Sequence, residues 1–108
     1  MMLCMLTVRR LKPGSEEAFR KAWTPGHWHE RFVRGYHLRS EDDPTQVITL
    51  GFFAGTQEQL DAMRDEPAWM AGEERRLQRI APIEEEVLLS GVWEVVDEFA
   101  DAAQSGDG

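Results

Sequence analysis

The three histidines are the residues best suited to proton transfer, because an imidazole exchanges a proton near neutral pH. His27 and His29 lie in the segment HWHE, and His37 lies in an alternating stretch further along the chain. His37 shares its predicted strand face with Arg39, so the pair would supply a base and a cation to a bound ligand. An exposed pair on the wet side of an edge strand fits the same two positions.

The HWHE segment also has the composition of a metal site. On a helix, residues two apart point about 200° from each other, so His27 and His29 cannot share an ion there. His27 and Glu30 can, but a third ligand would still be needed, and His37 is the remaining histidine. We therefore predict no metal site and expect exposed histidines or histidines at the rim of a pocket.

Four tryptophans and five phenylalanines provide flat apolar surface for an aromatic ligand. Trp23 and Trp93 fall in periodic apolar stripes, which is typical of core packing. Trp28 and Trp69 lie next to predicted helix breaks, where space opens. The predicted ligand contacts are Trp28, Trp69, Tyr36, His27 and Phe53, although Tyr36 would fill the core equally well.

Three arginines, Arg75, Arg76 and Arg79, follow the acidic pair Glu73 and Glu74. Spacings of three and four residues place opposite charges side by side on a helix, which predicts a solvated helix face. The alternative is that Arg76 holds an anion.

The apolar pattern predicts the element order strand, helix, strand, strand, helix, strand. Alternation of side chains predicts four strands, at residues 3–10, 33–40, 46–53 and 85–96.

Capping residues predict where the helices begin. Ser15 and Thr56 are suited to an N-cap. Pro67 is expected to restart the second helix, which continues to about residue 80. Thr24 and Pro25 predict a further short helical piece through about residue 32.

The predicted strands are apolar on both faces, whereas two helices cover only one face of a four-stranded sheet. A 108-residue chain removes only about 65% of its unfolded surface from water, so further burial would stabilise it. We predict an α+β, ferredoxin-like βαββαβ domain over residues 1–98, which forms a homodimer through its sheet faces. Residues 99–108 are predicted to be a flexible acidic tail.

The charge and the hydropathy of the chain indicate which classes of binding partner to expect. With 20 acidic against 12 basic residues, the net charge of −8 would repel a phosphate backbone, so no nucleic acid is expected. The apolar start of the chain is too short for a membrane span and lacks a basic leader. The single cysteine, Cys4, cannot form an internal disulfide. We therefore predict a cytoplasmic protein without a membrane partner.

Several short segments together resemble the antibiotic biosynthesis monooxygenase (ABM) domain family over about residues 2–98. They are KPGSE at 12–16, GYHLRS at 35–40 with Asp43-Pro44, and GFF at 51–53 before TQEQL at 56–60. The resemblance implies a dimeric α/β barrel with ferredoxin-like halves and a small pocket between helices and sheet.

That family includes cofactor-free oxygenases of polycyclic phenols and haem-degrading enzymes, so resemblance alone does not fix the reaction. Thr7, Met63 and Glu73 stand where the haem-degrading members have asparagine, tryptophan and a ligating histidine, which argues against haem degradation. We therefore expect a cofactor-independent monooxygenase of a small phenol or hydroquinone that resembles the phenol-oxidising members, and the residues suggest His37 as base and Arg39 as cation. A non-catalytic dimer that binds a small hydrophobic molecule or regulates a partner is the alternative.

Overall fold

The computed structural model describes residues 1–100. The elements are β1 (Met2–Leu11), α1 (Glu16–Trp23), β2 (Phe32–Arg39), β3 (Gln46–Ala54), α2 (Gln57–Arg64), α3 (Pro67–Ile80) and β4 (Glu84–Glu94). The strands form one antiparallel sheet in the order β2-β3-β1-β4. The predicted ferredoxin-like α+β fold is confirmed, and β2 and β4 are the edge strands.

The N termini of the helices follow the predictions in part. Thr56 forms a full capping box, because its hydroxyl accepts from the backbone N–H of Gln59 at 3.1 Å and the Gln59 side chain accepts from the Thr56 N–H at 2.9 Å. Pro67 begins α3. Ser15 precedes α1, but its hydroxyl donates to the carbonyl of Lys12 and caps no helical N–H.

The short helical piece predicted for 24–32 is wrong. Thr24 ends α1: its backbone is extended, and its hydroxyl donates to the carbonyl of Arg20 at 2.7 Å. That bond satisfies a carbonyl at the C-terminal end of α1, so Thr24 closes one helix instead of opening another. The chain then runs without regular secondary structure to the start of β2.

Two separate apolar clusters join the helices to one face of the sheet. One contains Leu3 and Phe53 from the strands with Leu60 and Met63 from α2. The other contains Leu11 and Val47 with Phe19 from α1 and Ile80 from α3. The clusters lie at opposite ends of β1, which leaves the middle of the covered sheet face between them.

The opposite sheet face carries no helix and is apolar. We call it the open face; four of its side chains are between 43% and 52% exposed, namely Tyr36, Leu38, Leu89 and Trp93. Trp93 is therefore not packed within the chain, contrary to the core packing expected of it. Cys4 lies on the same face but is buried by its neighbours, and this burial raises the pKa of its thiol.

The C-terminal prediction extends past the described residues. Residues 95–100 form no regular element, and Phe99 is exposed. Most of the predicted flexible tail, 99–108, lies outside the described residues. Within residues 1–100, no helix has the length and apolar character required to cross a membrane.

Candidate functional site

A cavity of about 540 Å³ lies between the two apolar clusters, above the covered face of the sheet. Its floor consists of Met5, Thr7 and Arg9 from β1 with Thr49 and Gly51 from β3. Each of these positions carries a polar, small or flexible side chain, whereas the positions at the ends of the same strands carry large apolar ones. The cavity therefore exists because the sequence of the strand centres does not fill the space under the helices, and its volume suits a small organic ligand.

Five aromatic side chains in mutual contact line the cavity, and we call them the aromatic wall: Trp23, Trp28, Phe32, Phe53 and Trp69. The rings of Trp28 and Phe32 are stacked, with centroids 4.1 Å apart. Phe32 meets Phe53 edge to face at 5.6 Å, and Phe53 meets Trp69 in the same way at 5.9 Å. Because each ring is fixed by its neighbours, the wall is a preformed surface for a flat ligand.

Arg9 is a charged residue in the floor of the cavity and is only 5% exposed. Its Nε donates to the Glu84 carboxylate at 2.7 Å, and its Nη1 donates to the Thr49 hydroxyl at 3.3 Å. The guanidinium lies 5.5 Å from the centre of the Phe19 ring. These contacts hold a positive charge in place beneath the ligand space.

Arg76 of α3 adds a second largely buried cation to the same cavity, with a side chain 16% exposed. It forms an ion pair with Glu73 and lies 5.0 Å above the centre of the Trp23 ring. Its buried Nε has no hydrogen-bond partner among the described residues. Burial lowers the pKa of Arg76 and the charges of Arg9 and Arg79 act in the same direction, while Glu73 opposes them. The predicted solvated arginine face is therefore wrong for Arg76.

His29 and Glu66 form a polar contact at the wall of the cavity. The backbone N–H of Arg31 donates to His29 Nδ1 at 3.1 Å, and His29 Nε2 lies 3.1 Å from a carboxylate oxygen of Glu66. With Nδ1 accepting, the neutral ring carries its proton on Nε2 and donates it to Glu66. Both ring nitrogens are thereby engaged within the protein.

His37 and Arg39, the predicted base and cation, do not line the cavity. The His37 ring packs edge to face on Trp23 at 4.6 Å and lies 5.9 Å from the Phe19 ring. Burial, together with the charges of Arg20 and Arg9, lowers the pKa of His37 below its usual value. Arg39 is exposed and forms an ion pair with Glu16 at 2.9 Å.

The predicted ligand contacts divide into two groups. Trp28, Trp69, Phe53 and His27 line the cavity. Tyr36 lies on the open face, where it is 49% exposed and meets the Phe52 ring at 6.4 Å. The structure therefore brings four of the five predicted contact residues to one cavity.

The sequence argument did not identify Arg9, and it treated Trp23 as core only. A signal for Arg9 was present: an arginine stands between Thr7 and Leu11 at a position that alternation assigns to the covered face. An arginine side chain at such a position is almost never fully buried unless it is paired with an opposite charge. Trp23 contacts both the core and the ligand space, which periodicity cannot distinguish from core packing alone.

Possible ligands for a metal do not cluster in the part of the chain that the structure describes, where no group of three His, Cys, Asp or Glu side chains is suitably placed. Of the positions compared with haem-degrading enzymes, Met63 is fully buried in the core, whereas Thr7 and Glu73 line the cavity.

Comparison with known proteins identifies structural neighbours. No protein-family profile and no curated protein sequence matches the chain. A structure from Chloroflexus aurantiacus, assigned as an antibiotic biosynthesis monooxygenase, superposes with a TM-score of 0.69 at 12% identity, over 93% of this chain and 98% of that one. A similarly assigned structure from Nitrosomonas europaea gives 0.60 at 16% identity, over 88% and 90%.

A variant of SnoaB, a cofactor-independent oxygenase from Streptomyces nogalater, superposes with a TM-score of 0.67 at 10% identity, over 93% of this chain and 98% of that chain. Identities this low establish the shared architecture and leave the chemistry to the residues of the site. The predicted ferredoxin-like chain fold is thus confirmed: this chain has the fold of the antibiotic biosynthesis monooxygenase structures.

Proposed function

We propose that the protein is a cofactor-independent monooxygenase of a small phenol- or hydroquinone-type aromatic substrate. The observation that carries the proposal is the combination of the aromatic wall with two largely buried arginines in one cavity, on the fold that SnoaB also has. The wall would hold a planar substrate, and the arginines would favour its deprotonated form.

The proposed reaction needs little from the protein beyond a cavity with an aromatic wall and fixed positive charge. An electron-rich aromatic anion itself reduces dioxygen, so that one oxygen atom enters the substrate and the other leaves as water. For an anthrone, a CH₂ group and O₂ become a C=O group and H₂O. The contribution of the protein is to stabilise the anion by fixed positive charge and to exclude water from it.

We assign the role of base to His27. It lines the cavity, is exposed, and makes no hydrogen bond to any described residue. His29 is less suitable because its two ring nitrogens are engaged with Arg31 and Glu66. His37, the base expected from the sequence, is in contact with the cavity residue Trp23, so an effect of His37 would reach the ligand through that ring.

Dioxygen uptake with anthrones and hydroquinones tests the proposal. We expect turnover above the rate in buffer, a large loss in His27→Ala, and a smaller loss in His37→Ala. Arg64→Gln, a change on α2 away from the cavity lining, is the matched control and should retain activity. Ligand-induced thermal stabilisation without any uptake would instead identify a binding module, because a ligand that binds only the folded state raises its melting temperature.

We further propose that the open face pairs with the open face of a second copy of the chain. The support is the apolar character of that face, since aromatic and aliphatic side chains such as Trp93 and Leu89 remain about half exposed. Burial of such side chains contributes roughly 1.5–3 kcal/mol each when complete, so pairing several of them would stabilise a dimer. An apolar patch of this kind on a monomer would promote aggregation.

A further inference from the structure

We propose that the natural ligand of the cavity is an aromatic carboxylate, with its ring on the aromatic wall and its carboxylate at Arg9 and Arg76. This inference rests on the proposed function only for the location of the substrate, and it adds the acidic group that the substrate must carry. It does not require that the ligand be oxidised.

The first argument is the sign of the charge in the cavity. The chain as a whole has a net charge of −8, yet the lining contains four arginines and two glutamates, namely Arg9, Arg75, Arg76 and Arg79 with Glu66 and Glu73, and the balance stays positive when Glu84, the partner of Arg9, is added. An acidic protein that concentrates positive charge in one cavity selects an anion there, because the surrounding acidic surface repels the same anion elsewhere.

The second argument is the unused donor capacity of Arg76. A guanidinium has five N–H donors, and Glu73 is the ion-pair partner of Arg76 among the described residues. The buried Nε of Arg76 donates to none of them. Arg9 and Arg76 also repel each other, as the effect of Arg9 on the pKa of Arg76 indicates. A bound carboxylate would accept hydrogen bonds and relieve that repulsion.

The third argument is that the cavity has two chemically different ends. Along β1, Met5 and Arg9 are four residues apart, which corresponds to about 13 Å of extended chain. Trp69 and Phe53 lie toward the Met5 end, where they pack with the first apolar cluster. Glu66 also contacts that end through His29, which meets the Trp69 ring. The ring of a ligand would therefore lie against Phe53 and Trp69 at the Met5 end, and its anionic group would point away from Glu66 toward Arg9.

Calorimetric titration of the wild-type protein with 2-naphthoate and with 2-naphthamide tests the inference. The two probes share the same fused rings and differ in charge, so their ratio of dissociation constants isolates the contribution of the carboxylate. We expect the carboxylate to bind at least about tenfold more tightly at low salt, as charge-assisted hydrogen bonds imply. A smaller ratio, or no measurable binding of 2-naphthoate, would overturn the inference.

Variants then locate the anion site. In Arg76→Gln the preference for 2-naphthoate should fall severalfold, with the remainder due to Arg9, while binding of 2-naphthamide is kept, and Arg76→Lys should restore part of it. Arg64→Gln changes the net charge equally but lies outside the cavity lining, so it should leave the ratio unchanged. An equal loss in both glutamine variants would indicate general electrostatics instead of this site and would also overturn the inference.

Failure of the carboxylate inference can be distinguished from failure of the oxygenase proposal. Tight binding of 2-naphthoate, with no dioxygen uptake by the protein when hydroxynaphthoates are added, would refute the proposed oxygenase activity and support the carboxylate site. Turnover of neutral anthrones, combined with equal binding of 2-naphthoate and 2-naphthamide, would support the oxygenase activity and refute the carboxylate site.

Discussion

Arg9 and Glu84 form an ion pair at 2.7 Å in which both side chains are largely withdrawn from water, 7% and 24% exposed. Arg10 and Glu86 form a second ion pair between the same strands at 2.6 Å, but their side chains are 40% and 56% exposed. The two pairs join neighbouring positions of β1 to β4 and differ mainly in burial. They therefore provide a controlled comparison of what burial does to an ion pair.

We predict that Glu84→Gln lowers the free energy of unfolding by about 2 kcal/mol, since it leaves the buried guanidinium of Arg9 without its counter-charge. Glu86→Gln should cost less than about 0.5 kcal/mol, because an exposed pair is screened by water. Urea denaturation of both variants at neutral pH measures the difference. Equal losses would show that Arg9 finds compensation elsewhere in the cavity.

Ser15 and Thr56, which precede α1 and α2, provide a second matched pair of positions. Thr56→Ala removes a hydroxyl that accepts from the helix backbone, so we predict a loss of about 1 kcal/mol in the free energy of unfolding. Ser15→Ala removes a hydroxyl that caps no helical N–H, and its cost should stay below about 0.5 kcal/mol. Thermal and urea unfolding of the pair would contradict this account if the order were reversed.

His37 makes the stability of the fold depend on pH. Its folded-state pKa is lowered, first by burial and then by Arg20 and Arg9, so the unfolded chain binds a proton more readily than the folded one. Stability is therefore undiminished above the unfolded histidine pKa of about 6.5 and declines as the pH falls through that value toward the lower folded pKa.

We predict that His37→Gln flattens the decline in stability between about pH 7 and pH 5, because its side chain does not titrate. Urea midpoints measured across that range give the slope. Arg64→Gln, an exposed change on α2 that leaves all three histidines in place, is the control and should leave the slope as in wild type. An unchanged slope in His37→Gln would mean that other groups dominate the acid dependence.

The proposed dimer is tested by two leucines of equal exposure. Leu89 on the open face and Leu77 on α3 are both 49% exposed, so a lysine costs each position a similar amount within one chain. Light scattering of the wild type should give twice the 12.4 kDa chain mass. Leu89→Lys should raise the dissociation constant at least about tenfold, and Leu77→Lys should not change it. A non-aggregating wild-type monomer at micromolar concentration would refute the pairing.

The sequence predicted the fold well because the fold depends on periodicity and capping, which are local. The alternation over the strands and the N-cap residue Thr56 led to the correct elements. The prediction of a helix start failed at Thr24. A threonine hydroxyl can end a helix by donating to a backbone carbonyl, as Thr24 does, or begin one by accepting from a backbone N–H. The residue type alone does not distinguish the two roles.

The composition of the cavity was harder to predict, since it depends on which residues of different elements meet. Trp28 and Trp69, which were predicted as ligand contacts, both line the cavity, Trp28 from the irregular stretch before β2 and Trp69 from the first turn of α3. His37 was expected to face it on polarity alone, but the ring of Trp23 occupies the space in front of it. Alternation alone places Arg9 on the covered face, but its partners Glu84 and Thr49 become evident only from the strand pairing.

The stretch between α1 and β2 supplies Pro25, Gly26, His27, Trp28 and His29 to the cavity without belonging to any helix or strand. Because no ladder of sheet hydrogen bonds passes through it, its length and composition can change while the scaffold stays intact. One part of the cavity lining is thus encoded outside the elements that form the sheet and its helical layer. Exchanging this connection would alter one side of the ligand space while β1, β3 and α3 keep the rest of it.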